Sequence, residues 1–538
     1  MAVATVLGTV AAAPAASAYV ALMAGQKARP LNGTFNNVPV LHSNQPEEVE
    51  GPGILINTEP GVSYAAENGQ PLRNAEYTFK GEFGMHLHHK YFPANRATLS
   101  PGGRRTELTL ATILINPGLT PVHVQFEYGA VRNSFEAPYL ANNLMGVKPL
   151  GPRPWNTGPG DATAIQMLRR KLDSRLENQI TVPPRSRIVL FQTALPALGI
   201  ANALLRGRSD GPLQIAVVAA KNPRSEEDVL AVLSSGRLAP GRVYLNRIAE
   251  INNRQVFSRV GGVAVGDAYQ ASISHDLSRQ GPLHVPFTST DRHEFGTNDV
   301  QVNSLVSRMI DSSLDNVGTY GVRFDVDLNL KGDGTYERVM SHPSPNGGRD
   351  FVAFRGSIQI QTDDGLREVH VGLRSGQSLS LTQLNLRPGR NNPVRVSMVY
   401  PADATPGHLL SVVTSSQLAM AQEQERRVAV ARSQPPVPRP VVPPPQIPGA
   451  PQAVELPAAA TPAGGPRPRP PLLPPPILPT APLLPGGRPL SPPPSLQSPT
   501  GPMWRVAPPA PASGAADIDR YRQATELQRL RLQGFSQP

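Results

Sequence analysis

His86-Leu87-His88-His89 is the densest run of chemistry-bearing side chains in the sequence. On a β-strand, alternate residues share a face and lie ~6.8 Å apart, so His86 and His88 could converge on one metal ion. Glu82 falls on the same face and His89 on the opposite, apolar one. The set approaches the H-x-H motif of cupins, in which a later Glu helps to hold a transition metal. Here the spacing from Gly81 is one residue short, no such Glu follows, and no second motif with a distant His is present. With no cysteine in the chain, a metal site would have to be built from imidazole and carboxylate. His123, on the polar side of a later strand, is the nearest further donor in sequence. His86, His88 and Glu82 therefore stand as the candidate metal ligands. The competing reading is that these histidines hydrogen-bond within the protein or lie on its surface. No catalytic residue and no cofactor is assigned.

Other patterns point away from familiar chemistry. Asn329, Asp333 and Glu337, with Gly332 and Gly334, suggest a calcium loop, but Lys331 stands where a ligand belongs, and a hairpin tip explains the glycines. His293-Glu294 lacks the second His of a zinc protease. No phosphate loop occurs. Carboxylates that pair as in glycosidases cannot be told apart from the rest by spacing alone.

The elements that must position these residues are mostly strands. Tyr77, Phe79, Phe83, Met85 and Leu87 alternate with Lys80, Glu82, His86 and His88, the period of two of a half-buried strand. Leu108–Ile115 is more continuously apolar. Val122, Val124, Phe126 and Tyr128 alternate again after the Asn116-Pro117-Gly118 turn. Phe324 to Leu330 alternates, and Ile358 and Ile360 precede the turn Thr362-Asp363-Asp364-Gly365, with Val369, Val371 and Leu373 returning as the second arm of a hairpin. Two helices interrupt. Ile165, Leu168, Leu172 and Leu176 predict one near 161–177, with Asp161 as its cap and Arg169, Arg170, Lys171 and Arg175 opposite. Ser225-Glu226-Glu227-Asp228 opens another near 225–236, stopped by Gly236.

The expected fold class is all-β and mainly antiparallel: two immunoglobulin-like β-sandwich domains with short inserted helices, then a disordered Pro-rich tail. The boundaries are a signal-peptide-like leader over 1–25, a first sandwich over 26–250, a second over 251–414, a helical stalk over 415–433, and the tail over 434–538 with a short terminal helix starting at Asp517. Roughly half of the 61 prolines follow Gln434, and that segment has no lysine. It cannot bury enough apolar surface to offset its ordering entropy.

Met1–Ala18 is almost wholly small or apolar, and Ala16-Ser17-Ala18 fits an export cleavage pattern, although no basic n-region precedes it. The expected location is extracytoplasmic, in the periplasm or cell envelope. No later run of ~20 apolar residues predicts a transmembrane segment. Net charge is +11, yet aromatic residues make up only 5%, so few rings are available to stack on bases and no nucleic acid partner is expected. Arg-rich segments suit anionic polysaccharide, lipid headgroups or acidic proteins better.

GPGILINTEPG (51–61), TFKGEFGMHLHHKYF (78–92), LATILINPGLTPVHVQF (110–126), SEEDVLAVLSSGRLA (225–239), RVGGVAVGDAYQA (259–271), GTYGVRFDVDLNL (318–330) and FRGSIQIQTDDG (354–365) occur in this order. Together they resemble the cyanobacterial domain-of-unknown-function family 3370, over roughly residues 35–415. The resemblance implies an exported envelope protein and supplies no activity. The Pro-rich tail departs from it. Three functions follow as expectations. The first is a non-enzymatic binding or structural module that meets an envelope polysaccharide or another envelope protein. The second is a metal-binding protein or metal-dependent enzyme using His86 and His88. The third is a polysaccharide-binding or -processing protein.

Overall fold

The computed structural model describes residues 23, 25–94, 107–139, 145–152, 157–343, 351–402 and 404–433. Residues 1–22 and everything beyond Ser433 lie outside them, so the expectations for the export signal and the tail fall there too. Within the described residues the protein is all-β and mainly antiparallel, with a few short helices. No helix among them is long and apolar enough to cross a membrane.

Strand Ile200–Lys221 organises the first core. Its early residues pair antiparallel with Phe79–Tyr91 on one side and Val122–Asn133 on the other. The register breaks between Ser209 and Leu213, where Gly211 and Pro212 interrupt the ladder. Its later residues then pair with Glu107–Ile115 and Gly53–Asn57. One strand thereby serves two groups of strands, and Phe83, Met85, Leu87, Ile113, Phe126 and Val217 pack between them.

The second core lies between a seven-stranded and a four-stranded sheet. Ala268–Asp276, Arg323–Lys331, Asn392–Val399, Val352–Thr362 and Gly365–Arg374 form most of the first. Leu283–Phe287, His408–Val413, Gly334–His342 and Gln377–Leu386 form the second. The Thr362–Gly365 hairpin is present. The expected hairpin at 331–334 is not: the chain turns a corner there, passing from the seven-stranded sheet to the four-stranded one, with Gly334 at φ 88°. Asn329 stays in the first sheet opposite Pro393, while Glu337, in the second, accepts from Ser380 and Gln383, so the calcium-loop residues are drawn apart. Helix Ser415–Ser433 is docked rather than free, with Leu418 and Ala421 packed on Val339 and Val413.

Among the described residues, three strand pairings cross residue 250. Pro39–Ser43 pairs with Gly261–Val265, Thr34–Phe35 with Ala268–Asp276, and Gly146–Pro149 with Gly365–Arg374. The described chain up to residue 433 falls within one compact unit.

Helix Pro159–Leu168 sits where the two halves meet. It ends nine residues before the expected 177. Arg170 takes a left-handed conformation (φ 51°), its N–H bonds Met167 O, and Lys171 N–H reaches back to Gln166 O. This is a Schellman closure with arginine in the place that glycine usually fills. Leu172 and Leu176, read as a continuing helical face, instead lie beyond it against the first core. The helix also starts on Gly158 rather than on a capping Asp161.

Candidate functional site

Strand Phe79–Tyr91 places its histidines as its alternation requires, with Phe83, Met85 and Leu87 in the first core and His86 and His88 on the opposite face. That face is not solvated. Gly321 approaches so closely that an added side-chain carbon would lie 3.2 Å from the Cβ of His86. His86, His88 and His89 are all buried.

Each imidazole meets a protein partner. His42, from the parallel neighbour Pro39–Ser43, brings its Nδ1 to 3.2 Å from His86 Nδ1. Both Nε2 atoms are enclosed without a hydrogen-bond partner. His89 spans Ser43 Oγ and Pro46 O, each at 2.8 Å. His88 Nδ1 lies 3.0 Å from the Asn202 amide, which also touches Thr163 Oγ1 at 2.6 Å. Turning the amide nitrogen to Leu87 O, 3.1 Å away, makes Asn202 the donor to His88.

Thr163 belongs to helix Pro159–Leu168, and two residues earlier, at Asp161, the helix reaches the other half. Ser357 Oγ donates to Asp161 Oδ2 (3.2 Å), and His370 Nδ1 lies 3.1 Å from the same oxygen. Ser357 and His370 are cross-strand partners on the seven-stranded sheet. His88, Asn202, Thr163, Asp161 and His370 thus form a buried polar path through the helix from one half to the other. A path of rings runs beside it. His86 lies 6.1 Å from Tyr320, Tyr320 stacks at 5.9 Å on Tyr400, and the Tyr400 hydroxyl meets His408 Nε2 at 3.1 Å.

Burial keeps the His42, His86 and His89 rings neutral at pH 7. Burial holds the His42 imidazole at about 3. Burial, then the neighbouring His42, His88 and His89, holds His86 well below its ordinary value. Burial also brings His89 to about 3, against the pull of Pro46 O.

The other expected ligands are elsewhere. Glu82 is partly exposed and held by Arg206 (2.9 Å) and Arg208 (3.0 Å). His123 is exposed and paired with Asp210 at 2.8 Å. A transition-metal site wants three or four ligands; among the described residues no group of three or more such side chains gathers. His42, Asn202 and Thr163 were missed in the sequence, and Asp161 was read only as a helix cap. His42 carries no local signal, since Pro39-Val40-Leu41-His42-Ser43 shows no apolar–polar alternation.

The family of proteins described as protein of unknown function, DUF3370, matches residues 26–414. The chain belongs to it. No curated protein matches the chain. Among solved structures, a Paenibacillus xanthan lyase shares 9% identity over 69% of this chain and 27% of its own, with a TM-score of 0.15. The DUF3370 protein thus spans about a quarter of that enzyme's length. A single-site variant of the oxalate decarboxylase of Bacillus subtilis shares 11% identity over 74% of this chain and 85% of its own, at a TM-score of 0.08. Neither likeness is close enough to carry fold or function.

Proposed function

We propose that this DUF3370 protein is a non-enzymatic binding or structural module of the cell envelope, exported by its Ala-rich leader. Its two β cores form the body, and its Pro-rich segment is a tether to an envelope polysaccharide or another envelope protein. The observation that carries this reading is the use made of the reactive side chains. His88 is engaged by Asn202 and, through it, by Thr163, while Asp161 of the same helix is engaged by Ser357 and His370 of the other half. Groups so engaged serve conformation rather than turnover. The test is the His86→Gln, His88→Gln double variant. It loses about 1–2 kcal/mol of stability, as for lost hydrogen bonds. Protein purified without added metal carries less than one equivalent of zinc, copper, iron or manganese, and the variant carries the same amount. One tightly bound metal per chain, lost in the variant, contradicts the reading.

A second reading draws on the His42–His86 pair. Two nitrogens 3.2 Å apart suit neighbouring ligands of a tetrahedral ion with bonds of about 2.0–2.1 Å. It supplies half a ligand set, and the same metal analysis decides it.

A further inference from the structure

Among the described residues, several buried cations are paired. Arg242 and Asp311 are both fully enclosed and meet at 2.9 Å, and Arg242 also donates to Leu55 O at 2.7 Å. Lys90 and Arg259 share Glu47. Arg338 departs from this pattern. It is wholly enclosed, and its Nε, Nη1 and Nη2 have no hydrogen-bond partner.

Its place in the fold is well defined. On strand Gly334–His342, Arg338 lies opposite Val412 on one side and Thr382 on the other. Met340 shares its face, and Met340, Leu410, Val412 and Leu384 all belong to the second core. Arg338 therefore points between the two sheets. Glu337, its neighbour in sequence, points the other way and accepts from Ser380, Gln383 and Ser415. Across the inter-sheet space, Arg367 follows the inward alternation of Val369 and Val371. Its Nη1 donates to Thr382 Oγ1 at 3.0 Å, while the Thr382 hydroxyl donates to Gln383 O. Thr382 is thus the strand partner of the enclosed Arg338 and the hydrogen-bond partner of the exposed Arg367. Burial pulls Arg338 down to about 9, a value at which it still carries its charge at neutral pH.

An enclosed cation persists only when something compensates it. The guanidinium fork presents coplanar N–H donors that match two oxygens of a carboxylate or phosphate. We propose that Arg338 binds a small oxyanion between the sheets of the second core, with Arg367 and Thr382 on the side from which it enters. A sugar-acid carboxylate and inorganic phosphate share this chemistry.

Thermal unfolding of the full chain at constant ionic strength tests the site, with chloride replaced stepwise by acetate, glucuronate or phosphate. The expected result is a saturable rise in Tm with at least one oxyanion over chloride, absent in Arg338→Met. Saturation with glucuronate and acetate alone identifies a carboxylate ligand; saturation with phosphate alone identifies phosphate. Arg367→Met weakens the apparent Kd by roughly tenfold, as for one charge-assisted contact. Should Arg338→Met fail to fold, Arg338→Lys keeps the charge, loses the fork and is expected to bind at least as weakly as Arg367→Met. A wild-type response no greater than with chloride, or an equal response in the Arg338 variant, overturns the proposal.

Discussion

At the scale of single residues, the buried imidazoles tie this fold to neutral pH. In the native protein His89 is held at about 3 and His284 at about 4, both chiefly by burial, against 6.5 for a free imidazole. The lowered values mean that the unfolded chain binds more protons than the folded one. Stability is therefore complete above the unfolded value and is lost as pH falls through it. At pH 5 each of the two groups removes about 2 kcal/mol, at ~1.4 kcal/mol per unit of pH. His42, His86 and His408 act in the same direction. Denaturant midpoints measured from pH 7.5 to 5 are expected to fall steeply, and a flat profile would show that these rings charge without unfolding the protein. Glu47 works in a different window. Burial would raise its carboxyl, but Arg259 and Lys90 outweigh that and hold it at about 2. Its contribution is present above about 4.5 and is lost only below that pH, so it does not blur the histidine effect. Replacing Glu47 with Gln leaves two buried cations facing a neutral amide. The expected loss is about 3–5 kcal/mol by chemical denaturation at pH 7.

Single elements show what local pattern can and cannot reveal. The strand at 79–91, the hairpin at Thr362–Gly365, and the helices Glu226–Ser234 and Ser415–Ser433 follow from alternation, turn residues and the Ser225 cap, which accepts from Asp228 N. Where the helix after Gly158 would end was not legible, because Arg170 closes it without the glycine that marks such a stop. The burial of the His86 and His88 face was equally hidden. Alternation shows that one face is apolar; it does not show that Gly321, Tyr320 and a helix from elsewhere in the chain will cover the other. For the same reason the partners of His86 and His88 escaped sequence reasoning, since His42 and Asn202 arrive by strand pairing over long separations. The helix gives a test of its own. Thr163→Val keeps the shape of the side chain and removes the link to Asn202. Leaving a buried amide short of a partner costs about 1–3 kcal/mol, and hydrogen exchange within Pro159–Leu168 should accelerate by a matching factor. Unchanged exchange would show that the link holds nothing.

For the whole molecule, two cores are joined by exchanged strands and by a helix whose polar groups reach both. Alternation told the β class, and composition the change of character at residue 434. It did not tell that Pro39–Ser43 would pair beyond residue 250, since register between distant strands leaves no local periodicity. Truncation after Ser433 is expected to leave Tm within a few degrees of the full chain, because Leu418 and Ala421 already close the outer face of the four-stranded sheet. A larger fall would show that the removed segment contributes to the body. The central claim is that the reactive side chains at the seam couple the cores instead of forming an active site. Differential scanning calorimetry of the wild type and the His88→Gln, Asp161→Asn variant tests it most directly. A single endotherm is expected for the wild type, with van't Hoff and calorimetric enthalpies in agreement, and a lowered, broadened or split transition in the variant. Two independent wild-type transitions, or a variant that melts unchanged, would contradict it.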